Sequence, residues 1–172
     1  MQLDLISLLE KVEDKDVVIS SANFTPKLDV LKNGIKITVG ELPSRVRVYD
    51  RFFFENGELT SRHYQEVRNY WYSLMRKVLQ GYQGKPIDPA LIYIQYYMPK
   101  GADVGNHLSK FIIDGIMYAG GIVEDNVQHL KVISEGTVIC EKGEERTEIY
   151  IVKYNGGIAD LVSEIRQRAS SS

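Results

Sequence analysis

The nine-residue run Ala90 to Met98, ALIYIQYYM, most constrains what this chain can fold into. It is rich in isoleucine and tyrosine, whose branched and aromatic side chains fit the pleated surface of a strand. Pro99, Lys100 and Gly101 end it. Other strand candidates lie on both sides. IKITV, Ile35 to Val39, alternates well enough for a strand and stops at Gly40 and Pro43. Arg45, Arg47 and Tyr49 alternate with Val46 and Val48 in a second extended piece, with its basic residues on one side. Asn56-Gly57 marks a turn within or after RVYDRFFFENG, where a hairpin fits. Further strands are expected at about 127–134 and 146–154, with Glu141, Lys142 and Gly143 turning between them.

Two helices are written into the same stretch. Between Ser61 and about Gln80, the residues Tyr64, Val67, Trp71, Leu74, Met75 and Val78 recur at helical spacing. Arg62, Arg68, Arg76 and Lys77 fall on the outer face, Thr60 or Ser61 can cap the start, and Gly81, Gly84 and Pro86 close the end. A second helix is expected from about Asn106 to Tyr118, with Leu108, Phe111, Ile112 and Ile116 inward and Gly120-Gly121 terminating it. Shorter amphipathic helices are expected at residues 3–12 and 158–165, the latter followed by a polar tail. Residues 13–33 read as a strand-and-loop preamble. No repeat or long linker divides the chain. The expectation is an α+β fold, a mixed β-sheet packed against two main helices. It divides into an N-terminal extension over 1–34, one domain over 35–154, and a C-terminal helix and tail over 155–172.

Charge narrows the function classes. Twenty-one Lys and Arg against 23 Asp and Glu leave a formal charge of −2 among 172 residues. That balance is not the basic one of a protein dedicated to nucleic acid, although it allows a local basic face. The single Cys140 forms no internal disulfide, and the first residues, MQLDLISLLEKVEDKD, carry acids among the hydrophobics with no long apolar run. A cytoplasmic location and no membrane association are expected.

The chemistry-bearing segment is Asp103 to Lys131, DVGNHLSKFIIDGIMYAGGIVEDNVQHLK. Asp103 follows a strand, Lys110 and Asp114 lie one helical turn apart, and Glu124-Asp125 come after a Gly-Gly stop. Carboxylates from two turns beside one lysine suit a hard divalent cation and a phosphate. Taken singly, Lys110 and Asp114 make an ordinary surface ion pair, and His107 is a polar residue of a first helical turn.

The order of these features resembles the RusA-like Holliday-junction resolvases, whose pattern is D-x-D-N, a lysine on the next helix, an aspartate one turn later, and an Asp-Asp pair. The helix TSRHYQEVRNYWYSLMRKVL, the strand ending YYMPKGAD, and ITVGELPSRVRVYDR are similar to the family's flanking elements, so the resemblance covers about Ile35 to Lys153. It implies a homodimeric, magnesium-dependent endonuclease (manganese as a substitute) that cuts branched DNA. By that resemblance Asp103, Lys110 and Asp125 would be catalytic. Asp103, Glu124 and Asp125 would hold the metal, Lys110 would contact the scissile phosphate, and Arg45, Arg47, Arg51 and Arg62 would track the DNA backbone. Gly105 stands where the family has its second aspartate, and Glu124 where it has the first of its acidic pair. Two other readings follow: a DNA-binding protein of the same fold with a weakened or inactive site, and a non-enzymatic interaction scaffold that uses its terminal helices.

Overall fold

The computed structural model describes residues 24–43, 53–55, 58–60, 62–102, 109–157, 159 and 162. Among these residues, seven strands and two long helices follow in chain order: β1 (Lys27–Leu31), β2 (Gly34–Val39), β3 (Phe53–Glu55), β4 (Glu58–Thr60), α1 (Arg62–Leu79), β5 (Ala90–Pro99), α2 (Ser109–Tyr118), β6 (Leu130–Cys140) and β7 (Arg146–Lys153). β3 and β4 form a separate antiparallel pair that opposes Glu55 to Glu58, and the expected Asn56-Gly57 turn lies outside the described residues. The other five strands make one mixed sheet, ordered β1-β2-β7-β5-β6. Only β5 and β6 run parallel. α2 lies between them in sequence, as a parallel pair requires of its crossover. The α+β expectation, with a mixed sheet and two main helices, holds.

Alternation along the strands decides which face meets the helices. Ile35, Ile37 and Val39 of β2, Ile92, Ile94, Tyr96 and Met98 of β5, and Ile149 and Ile151 of β7 point one way and are buried. Against them pack Trp71, Met75, Val78 and Leu79 of α1 and Phe111, Ile112, Ile113 and Ile116 of α2. Fully burying one such aliphatic side chain contributes about 1.5–3 kcal/mol. The helices touch at Gly115, where an added Cβ would lie 3.0 Å from Met75 Cγ and 3.3 Å from the Trp71 carbonyl oxygen. α2 ends as its glycines foretell. Gly120 takes φ +80°, its N–H donates to Met117, and the N–H of Gly121 donates to Ile116. The last carbonyls of the helix are thereby satisfied.

The opposite face of the sheet carries a smaller apolar group, Leu31, Leu91, Tyr150 and Val152, with Tyr93, Val132 and Tyr154 against it. Beside it sits a charged network. Lys36 Nζ is 2.9 Å from Glu148 Oε2, the Arg146 Nε–H donates to Glu148 Oε1 at 3.2 Å, and the Tyr150 hydroxyl donates to Glu148 Oε2 at 2.9 Å. Burial pushes the Glu148 carboxyl up, but Lys36, Tyr150 and Arg146 outweigh it and hold the group below its ordinary value.

The strand expected at 127–134 starts later and runs further. β6 begins at Leu130 and continues through Glu135 and Gly136 to Cys140. Glutamate and glycine are poor strand formers. Parallel pairing with β5, from Ala90 opposite Leu130 to Pro99 opposite Cys140, carries the chain through them.

Candidate functional site

α2 delivers Lys110 and Asp114 on one face, and the structure joins them as the four-residue spacing requires. Lys110 Nζ lies 3.0 Å from Asp114 Oδ1 and also 3.0 Å from Oδ2. Their exposures differ: the lysine side chain is 64% exposed, the aspartate 11%. Asp114 is held inward by a residue that sequence spacing does not reveal. The Tyr72 hydroxyl, from α1, donates to Asp114 Oδ2 at 3.3 Å. Tyr72 also packs on Tyr118, ring centres 4.9 Å apart, and the Arg68 guanidinium stands 5.7 Å from its ring centre. Burial first, then the Asp114 charge and hydrogen bond, push the Tyr72 hydroxyl up to about 12. The four side chains pin α1 to α2 across their exposed seam. The only sequence signal for Tyr72 is its place one residue beyond Trp71 on the edge of the apolar stripe.

Glu124 and Asp125 are exposed, in the connection between α2 and β6. The preceding Ile122 bridges to Ile87, just before β5, and Ala90 donates its N–H to His129. The acidic pair therefore belongs to the end of the sheet where β5 begins. Lys110, by contrast, lies in the first turn of a ten-residue helix that runs about 15 Å before the chain turns back toward them. Glu124 accepts a hydrogen bond from the Asn126 side-chain amide, and Asn126 Oδ1 accepts the N–H of Gln128 at 2.9 Å. The Asn126 carbonyl further accepts the N–H groups of His129 and Leu130. This local turn accounts for the polar character of the segment. Among the described residues, no three His, Cys, Asp or Glu side chains gather as a metal site would need. Asp103, Gly105 and His107 lie outside the described residues, as do Arg45, Arg47 and Arg51. Arg62 opens α1. His129 Nδ1 is 2.9 Å from Asp88 Oδ1, a pair the sequence did not announce.

A different kind of surface appears at the end of the sheet. β6 is its last strand, eleven residues long, and among the described residues no strand pairs with its outer side. Ile133 and Ile139 stand 50% and 76% exposed, and Val138 is exposed beside them. No proline interrupts the strand, and Glu135 is the charge at its middle. An edge strand of this length and polarity offers free backbone donors and acceptors together with apolar side chains.

Comparisons with known proteins leave the chain without a family. No family model matches it, and no curated protein does. The solved structures similar to it include the periplasmic domain of Helicobacter pylori MotB, residues 90–256, at TM-score 0.36 and 12% identity over 82% of this chain and 87% of that one. A shorter form of that domain, residues 97–256, gives TM-score 0.32 and 10% identity over 82% and 94%. Likenesses this slight give the chain no fold name and no function. The identification with RusA-like resolvases is nonetheless corrected, since no family model supports it and the structural neighbours are MotB domains. The resolvase, endonuclease and DNA-recombination assignments that it implied fall with it. The physical reason lies in the motif itself. Lys110–Asp114 is explained by helix geometry, and Glu124 by the Asn126 turn, so neither spacing requires a shared site.

Proposed function

We propose that this chain is a non-enzymatic protein-interaction module that receives a partner's extended strand along the outer edge of β6. The observation that carries the reading is the eleven-residue edge of β6, with Ile133 and Ile139 exposed on one face and no strand beside it among the described residues. Backbone hydrogen bonds along the edge would supply affinity, and the alternating side chains would select the partner. The docking surface differs from the terminal helices expected from sequence, which fall outside the described residues apart from helical positions 159 and 162.

The test uses displayed ten-residue peptides of alternating apolar and polar residues, selected on the full chain. Binders should lose affinity at least tenfold when Ile139→Lys is introduced, with thermal unfolding unchanged. Equal binding to the variant would mean the edge is not used. Magnesium-dependent cleavage of branched DNA that Asp125→Asn abolishes would overturn the non-enzymatic reading altogether.

A further inference from the structure

We infer that the strand received at this edge is β6 of a second copy, laid antiparallel with Gly136 on the two-fold axis. The inference rests on the proposed interaction module and names its partner. In an antiparallel pair related by a two-fold axis, opposed residues have a constant sum of numbers, and they must point to the same face of the joined sheet. Side chains alternate along a strand, so opposed residues are both odd or both even, and the axis passes through a residue.

The register of β6 on β5 fixes which face each residue takes. Ile133, Glu135, Thr137 and Ile139 stand beside Ile92, Ile94, Tyr96 and Met98, on the helix-bearing side. Ser134, Gly136, Val138 and Cys140 stand beside Tyr93, Gln95, Tyr97 and Pro99 on the other. Four positions near the middle of the strand can carry the axis. Placing it at Glu135 opposes that carboxylate to its own copy. Placing it at Ser134 sets Ile133 against the partner's Glu135, and at Thr137 it sets Ile139 against the partner's Glu135. Each buries or crowds a charge.

Gly136 alone satisfies every row. Ile133 then meets the partner's Ile139 at both ends of the joined strands, covering the exposed aliphatics of the edge. Glu135 faces the partner's Thr137, and Ser134 faces the partner's Val138. No row is drawn at Lys131, which lies at the register shift of β6 on β5 and whose Nζ donates to the Val127 carbonyl 2.9 Å away. On the other face, an added Cβ at Gly136 would meet the movable hydroxyl end of Tyr93.

The register is tested by placing charges in the Ile133–Ile139 row of the full chain, followed by sedimentation velocity over a range of concentrations. The wild type should dimerise reversibly. Ile133→Lys and Ile139→Glu should each weaken the dimer about tenfold, because each sets a charge against an aliphatic in two rows. Combined, they place opposite charges in both rows and should restore it to within about twofold. Both sites are exposed, so thermal unfolding serves as the control for folding. A monomer at every concentration would overturn the inference. A dimer indifferent to the single substitutions, or one the double variant fails to rescue, would overturn it equally. Peptide binding that depends on Ile139 in a chain that stays monomeric would remove the self-pairing alone and leave the interaction module standing.

Discussion

The two edges of the five-stranded sheet differ in almost every property that governs strand association. β1 is five residues long, and Lys27 and Asp29 form an ion pair on it, Nζ to Oδ1 3.0 Å. Its one large exposed aliphatic is Val30. β6 is eleven residues long and exposes Ile133, Val138 and Ile139. Shortness and charge are the ordinary means of protecting an edge from another chain, and β1 uses both. β6 uses little of either. The contrast teaches that exposure at β6 is a property of that strand and not of the sheet's construction, because the same sheet ends at β1 with a protected edge.

Four substitutions would break or sharpen the contrast. The largest effect should come from Gly34→Val at the start of β2. Its Cβ would meet the Ile151 carbonyl and Val152 Cα, backbone atoms of β7 that cannot swing aside, so the variant should lose about 1–3 kcal/mol of stability in denaturant titration. Unchanged stability would mean that β2 is held on β7 more loosely than its register implies. Next is Glu148→Gln on β7, which weakens the ties to Lys36 of β2 and Arg146. The folded-state carboxyl is held low, so its contribution is present above the ordinary carboxylate range and lost as pH falls through the lowered value. The variant should therefore cost stability at neutral pH and flatten the acid limb of a pH–melting profile. A profile with the same acid limb would remove Glu148 as its cause.

Tyr72→Phe is a smaller change on the helix layer. The hydroxyl is raised to about 12, so its protonated form contributes stability that is complete below the ordinary tyrosine value and lost as pH rises through about 12. Removing it should flatten the alkaline limb between about 10 and 12, at a cost near 1 kcal/mol for the hydrogen bond to Asp114. The smallest effect belongs to the protected edge. Val30→Lys should change neither stability, beyond about 0.5 kcal/mol, nor association. If it weakened association, the distinction between the edges would collapse.

Much of the fold was legible because it is written in local period. The stripe Val67, Trp71, Met75 and Val78 predicts α1 within a residue or so of its observed ends, and ALIYIQYYM predicts β5. The glycines that stop α2 act as their composition suggests. What the sequence hides is whatever depends on pairing across distance. Half of β6 runs through Glu135 and Gly136, where propensity argues against a strand and only the parallel ladder on β5 sustains one. The edge therefore went unseen. At the candidate site the same division holds. Lys110 and Asp114 are read correctly from four-residue spacing, whereas Tyr72 reaches Asp114 from another helix, 42 residues away. The convergence of Asp103, Glu124 and Asp125 is implied only by order along the chain, and order along a chain does not fix distance between its turns.

The most direct test of the account is amide hydrogen exchange of the full chain at low and high protein concentration, followed strand by strand. Pairing through β6 predicts that amides of residues 132–140 gain protection as concentration rises, while those of Lys27–Leu31 do not. Equal behaviour of the two edges, or protection that appears at β1 alone, would contradict it.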